Sequence, residues 1–271
     1  TFTPAIGFDG NLNLSITTSA NASLDGWYTF DGDANDQSVG NSQNGTFVGN
    51  ATSIVDPTHG NVLSLDGVND SVQISGMYGN PANVTLAAWV NLNARDTDGA
   101  EIISLGDNVS LRADATYGGW GVVGSFRDGS NWTALPSSRS IAETGWQHLA
   151  YTISTSTHVQ SRYIDDVLVA QATSANSIVY DQGTNTTIGK HGNGATNFDT
   201  NGLIDDARIY TRALSADEIA SLVADQTIAN DSVNITVSPG NESPSNTVPG
   251  GQSTNEDTSL VFNIANSNLI S

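Results

Sequence analysis

Apolar and polar residues alternate with a period of two along most of this chain, the pattern of strands with one buried face. Between Gly202 and Tyr210 the alternation sets Leu203, Ala207 and Ile209 on one side and Asp206, Arg208 and Tyr210 on the other. Similar short runs occupy Trp27–Phe30, Val62–Ile74, Val84–Val90, Trp146–Thr152 and Tyr163–Val169. Trp27, Trp89 and Trp146 fall within these apolar runs and are expected in the core. Turn signals such as Asp66-Gly67 and Asp9-Gly10 separate the strands. The period changes only once with a clear signal, at Ser215. Ser215 is a good N-cap and Glu218 stands three residues on, a capping box that runs into Ile219, Ala220 and Leu222. The pattern therefore predicts an all-β chain that ends its main domain with one short helix.

Composition narrows the class. The 271 residues contain no cysteine, so neither a disulfide framework nor a cysteine zinc site is available. The 28 acidic against 8 basic residues give a net charge of -20. With no basic stripe to displace counterions, nucleic acid and anionic membranes are excluded as partners. No apolar run approaches a membrane span and no signal-type segment opens the chain. Since Thr1 is not an initiator, the chain reads as an excised fragment. It is long enough for one large sandwich with residues left over. An acidic surface keeps an extracellular protein soluble, and it also suits carboxylates held for calcium.

Two stretches carry candidate chemistry. Asp31-Gly32-Asp33-Ala34-Asn35-Asp36 puts several hard oxygen donors on one loop, with part of the spacing of a calcium loop. It is not an EF-hand, because Asp36 replaces the glycine and Ser42 the bidentate glutamate. The alternative is a solvated turn rich in Asp and Asn. The second stretch, Tyr117 to Trp132, gathers Tyr117, Trp120, Arg127, Asp128, Asn131 and Trp132 in a glycine-rich setting. Aromatic faces stack on the CH surface of sugar rings, while Asp, Asn and Arg bond hydroxyls. His191 and Asn193, in the glycine-rich loop before Phe198, are placed on the same rim. Trp120 and Phe126 fit the core equally well. Of the four histidines, none has metal-ligand spacing, and no Gly-x-Ser-x-Gly nucleophile elbow occurs.

Five segments in order resemble LamG-like jelly-roll domains of the concanavalin A-like lectin/glucanase superfamily. They are Trp27 to Ser38, Val62 to Ile74, Val84 to Val90, Gly145 to Thr152 with Tyr163 to Val169, and the closing stretch Gly202 to Ile219. Asp166 stands where the family's hairpin glycine is usual. The resemblance implies an all-β, two-sheet antiparallel β-sandwich, a jelly roll with one short C-terminal helix, over residues 23–225. It also implies that the opening and closing strands lie side by side. That would bring Asp31, Asp33, Asn35 and Asp36 near Asp205 and Asp206 as one Ca2+ site, Asp205 being the buried ligand; the alternative pairs Asp206 with Arg208 or Arg212. Catalytic relatives need paired carboxylates on one strand. None of the five glutamates offers such a pair, so no enzyme is expected, and His148 is read as structural.

The ends resemble bacterial cadherin-like or Ig-like repeats: residues 1–22 as a strand segment, 226–253 as a closing strand and linker, and 254–271 as the start of a further repeat. The resemblances together imply a calcium-stabilised carbohydrate-binding module, monomeric within a longer secreted bacterial adhesin at the cell surface. Its partner would be a cell-surface or extracellular polysaccharide, with no nucleic acid and no membrane insertion. The alternative is a protein-interaction or spacer module without a glycan.

Overall fold

The computed structural model describes residues 23–40, 43–93, 98–116, 121–136, 139–227 and 256–257. The chain divides into two compact units, and Thr17–Asn230 is the one that holds nearly all of these residues. Of the repeat-like segments expected at 1–22, 226–253 and 254–271, all but residues 226–227 and 256–257 lie outside the described residues.

The described strands are β1 (Leu24–Tyr28), β2 (Gly45–Val48), β3 (Thr52–Asp56), β4 (Gly60–Asp66), β5 (Ser71–Ser75), β6 (Asn83–Leu92), β7 (Gly99–Leu105), β8 (Val109–Asp114), β9 (Gly121–Arg127), β10 (Trp132–Leu135), β11 (Gln147–Ser154), β12 (Val159–Ile164), β13 (Val167–Thr173), β14 (Asn185–Ile188) and β15 (Asn201–Tyr210). A single helix, α1 (Ala216–Thr227), follows them. One sheet runs β13-β12-β11-β6-β15-β4-β3, with β1 also pairing β15, and the other runs β10-β9-β8-β7-β14-β5-β2. Neighbouring strands are antiparallel throughout, with register shifts at a few bulges. The jelly-roll sandwich expected from the sequence is the fold observed.

Alternation builds the core between the sheets. From β6 come Val84, Leu86, Ala88, Val90 and Leu92, and from β11 Leu149, Tyr151 and Ile153. Val109, Leu111 and Ala113 of β8 and Val122 and Phe126 of β9 meet them from the other sheet. Between the last two, Gly124 leaves room for the ring of Tyr151, since a Cβ there would stand 1.9 Å from Tyr151 Cδ2. Arg162 of β12 is fully buried, and its Nη1 donates to Val122 O and Leu135 O at 2.7 and 2.6 Å, where the β9–β10 ladder ends. Burial lowers its pKa to about 10.

Helix α1 covers the outer face of the eight-stranded sheet. Ile219 and Leu222, with Leu214 ahead of them, pack on Ala87, Ala150, Tyr163 and Tyr210. The capping box forms as the sequence predicts: Glu218 N donates to Ser215 Oγ at 3.3 Å, and Ser215 N donates to Glu218 Oε2 at 2.9 Å. Arg212 adds two bonds to the same carboxylate, at 2.9 and 2.7 Å, and holds its pKa down at about 2.

Two expectations about the strands need correction. Strand β15 does not alternate evenly, because a bulge between Asp205 and Arg208 places Asp206 at a φ of 50°. Ile204, Ala207 and Ile209 reach the core in consequence, and Leu203 does not. Nor are Trp27, Trp89 and Trp146 core residues. Trp89 alternates with Ala88 and Val90 and so points away from the sandwich, and Trp27 pairs with Arg208 on the same outer face. Trp146 stacks there on His59 at 4.0 Å. All three are half-buried. The core takes Tyr and Phe instead, with Tyr28, Phe30, Phe126 and Tyr151 at most 1% exposed.

Gly124→Ala forces a methyl group into the Tyr151 ring, so this variant is expected to lose about 1–3 kcal/mol of unfolding free energy in urea melts. An unchanged midpoint would show that Tyr151 can yield.

Candidate functional site

The outer face of the seven-stranded sheet carries Arg127, Trp132 and His191 of the ligand residues expected from the sequence. Core positions Leu111 and Ala113 leave Arg112 facing outward, and core Phe126 leaves Arg127 outward, opposite Trp132 in the β9–β10 pairing. The Arg127 guanidinium lies 5.5 Å from the Trp132 ring centre, and that of Arg112 lies 5.9 Å from it. Arg112 also sits 4.6 Å from the Phe198 ring, which stands 5.3 Å from His191. His191, Phe198, Arg112 and Trp132 thus form an unbroken row. Sequence reasoning missed Arg112 and Phe198. The outward phase of Arg112 in β8 was legible, but its partners lie 20 residues or more away in the chain.

Beyond His191 the row opens into a groove of about 380 Å3. Its lining includes Gln73, Asn185, Thr187, Lys190, His191 and Asn193. The groove mixes apolar surface with the polar groups of amide, hydroxyl, lysine and histidine side chains, and its volume falls within the roughly 300–1,000 Å3 of small-molecule sites. His191 is held by Asp107, Nδ1 to Oδ1 at 3.3 Å, and burial lowers its pKa despite that carboxylate. Asn193 is exposed and reaches Asp107 at 3.4 Å.

The other expected ligand residues divide. Asp128 closes its own turn by accepting from Asn131 N at 2.9 Å, and it also accepts from Asn176 Nδ2. Asn131 is exposed beside Trp132. Tyr117 and Trp120 lie outside the described residues. Under the row, Glu101 is 1% exposed, with Oε2 lacking a hydrogen-bond partner and Arg112 Nη1 at 3.9 Å. Arg112 is closer to Asp114, at 3.0 Å. Burial pushes the Glu101 carboxyl up to about 7, against the pull of Arg112.

The expected calcium ligands do not assemble. Asp36 is buried and accepts three backbone N–H bonds, from Trp27, Ser38 and Gln43 at 2.9, 2.9 and 3.0 Å. Asp31, Asp33 and Asn35 are exposed, and Asp33 accepts from Asn35 N at 2.9 Å as a simple turn. Asp206 accepts from Trp27 Nε1 and forms an ion pair with Arg208 at 2.8 Å, under a Trp27 ring whose centre lies 5.0 Å from the guanidinium. Asp205 turns to His59 Nδ1 at 3.3 Å, and burial raises its pKa. β1 does pair with β15, as expected, but what the strands bring together is a cation from the protein itself. Among the described residues no three of His, Asp and Glu come close enough to hold a metal ion. These six residues do not fit one calcium site.

His148, on the same outer face, is 1% exposed, and burial lowers its pKa to about 3, helped by nearby Arg208. Below pH 6.5 the unfolded chain takes up a proton that the native state refuses until about pH 3. His148 therefore lowers stability as pH falls through that window. Glu101 acts in the opposite sense: between 4.5 and about 7 the native state keeps a proton that the unfolded chain has released. Its contribution is thus lost as pH rises.

Two predictions follow from these buried charges. The stability of Glu101→Gln relative to the parent should grow with pH by up to about 1.4 kcal/mol per unit between pH 4.5 and 7, measured by urea melts. A constant difference would show an ionised Glu101. Asp206→Ala removes the carboxylate that pairs with buried Arg208 and accepts from Trp27 Nε1, and it should cost about 3–5 kcal/mol in the same assay. A loss below about 1 kcal/mol would rule out a tight buried pair.

A family model, the concanavalin A-like lectin/glucanases superfamily, matches residues 66–220, more than half of the chain. Among curated proteins none matches. The chain is similar in structure to the binding domain of paraclostridial mosquitocidal protein 1, with a TM-score of 0.62 and 15% identity over 76% of this chain and 52% of that one. It is also similar to domain 4 of AbnA, an extracellular GH43 arabinanase of Geobacillus stearothermophilus solved with arabinotriose, with a TM-score of 0.60 and 19% identity over 74% and 98% of the two chains. The receptor-binding domain of botulinum neurotoxin D gives 0.58 and 18% over 78% and 55%. The chain thus spans about half the length of the toxin domains, and at these identities the likeness concerns the fold. No helix among the described residues is long and apolar enough to cross a membrane. On the match across residues 66–220, the chain belongs to the concanavalin A-like lectin/glucanases superfamily.

Proposed function

We propose that this domain is a non-catalytic carbohydrate-binding module whose ligand lies on the outer face of the seven-stranded sheet. The observation that carries the reading is the row from His191 through Phe198 and Arg112 to Trp132, continuous with the polar groove beside Lys190 and Asn193. Half-buried aromatic rings supply stacking faces for sugar CH groups. The groove amides and hydroxyls supply directional bonds to sugar hydroxyls, which fix orientation. The arabinotriose bound to domain 4 of the arabinanase lends support by analogy of fold. The resemblance of the chain's ends to bacterial surface repeats suggests an extracellular adhesin as the setting.

A protein-interaction module is the second reading, favoured by the similarity to receptor-binding domains of toxins, one of them solved with rat synaptotagmin II. The two readings separate on a glycan array. The parent is expected to retain at least one glycan, and Trp132→Ala to weaken it about ten-fold, equivalent to about 1.4 kcal/mol. Retention of no glycan at high protein concentration would sink the carbohydrate reading.

A further inference from the structure

We infer that the ligand is an uncharged chain of several sugar units lying across the strands, rather than one terminal sugar or a polyanion. The inference rests on the carbohydrate reading above and adds the size and charge of the ligand.

Span comes first. His191 follows β14, and Trp132 opens β10, with β7, β8 and β9 between those two strands. The row crosses four strand spacings, and its successive gaps of 5.3, 4.6 and 5.9 Å bound the distance from the His191 ring to the Trp132 ring at about 16 Å, several times the width of one sugar ring. The groove extends farther, to Gln73 of β5 and Val48 of β2. One sugar ring on Trp132 cannot also reach the groove, whereas a linear oligosaccharide crossing the strands can. The surface between the two ends is continuous, because Phe198 and Trp132 flank the planar Arg112 guanidinium at 4.6 and 5.9 Å. The half-buried Phe198 and Trp132 rings, held apart by Arg112, offer two platforms to different sugar rings of one chain, while the amides at the groove end read hydroxyls.

Charge comes second. The chain holds only eight basic residues, and Arg112, Arg127 and Lys190 lie along this face. Each already faces a carboxylate: Arg112 with Asp114 at 3.0 Å, Arg127 with Asp181 at 3.9 Å and Lys190 with Asp199 at 3.9 Å. Lys190 Nζ also donates to Asn69 at 3.0 Å. Asp107 and Asp128 add further negative charge at the rim, beside the net -20 of the whole chain. Among the described residues a uronate or sulfate would meet no uncompensated cation here, and the net charge of -20 would repel it at long range. A neutral sugar pays no such penalty, and its hydroxyls can use the paired groups as they stand.

The test is titration calorimetry of the whole chain with cello-, laminari-, xylo- and arabino-oligosaccharides of one to six units, and with polygalacturonate as the polyanion. At least one neutral series should gain about ten-fold or more in affinity from monomer to the longest member, with little change on adding salt. Trp132→Ala should erase that gain while leaving the affinity for the shortest binding member unchanged. Asn193→Ala should weaken every length alike, and circular dichroism checks that both variants fold. A monosaccharide bound as tightly as the hexamer would overturn the chain-length inference and leave the carbohydrate reading intact. Salt-sensitive binding of polygalacturonate above the neutral series would overturn the charge inference. Binding to none of the sugars would defeat the carbohydrate reading itself.

Discussion

The pairing of β15 with β1, β4 and β6, with a bulge at Asp205–Asp206 against β6, is the constraint on which the rest of the molecule depends. The bulge lets two consecutive acidic residues serve the outer face while Ile204 and Ala207 on either side both reach the core. An uninterrupted strand would place one of those apolar residues outside, because the side-chain period of two admits no other choice. Asp206 takes a left-handed φ and answers two demands at once, those of the Trp27 indole N–H and the Arg208 guanidinium. The closing strand is thereby tied to the opening one, and helix α1 follows directly over Tyr210.

The acidic balance takes on a structural meaning in this light. Many carboxylates act as acceptors for backbone N–H groups in turns rather than as a diffuse negative surface. Asp36 accepts three, Asp70 accepts from Asn50 N and Asp66 N, Asp165 from His148 N, and Asp199 from Asn69 N. A loop-rich sandwich exposes many N–H groups at its strand ends, and short acidic side chains satisfy them locally. Carboxylates also face Arg112, Arg127 and Lys190 on the seven-stranded sheet.

The two outer faces of the sandwich do different work. The eight-stranded sheet buries its outer side under α1 and under the cluster of His59, Trp89, Trp146 and His148, whose rings pack on one another at 4.0 to 5.4 Å. The seven-stranded sheet leaves its outer side to loops and a polar groove. Half-buried rings and hydrogen-bonding groups thus come together on one side of the sandwich, while the other side is covered by packing.

Much of the fold was legible in the sequence because its signals are local. Period-two alternation marks strands, and Ser215 with Glu218 marks the start of the helix, whatever the rest of the chain does. His191, Asn193, Arg127 and Trp132 were also found as ligand candidates from residue type and loop setting. What alternation cannot say is which side of a strand faces the core when both sides carry large apolar groups. Trp27 and Trp89 were misread for that reason: Tyr28 beside the one, and Ala88 and Val90 beside the other, fill the core instead. Nor does a run of acidic residues reveal all its partners. The alternative pairing of Asp206 with Arg208, two residues on, is the one observed, whereas His59 and Trp27 reach Asp205 and Asp206 only through strand pairings across more than 140 residues. Near neighbours are enough to read the elements, the family and the local ion pairs from the chain; which face each strand presents, and the row across the sheet, follow only from the tertiary structure, because they depend on register between distant strands.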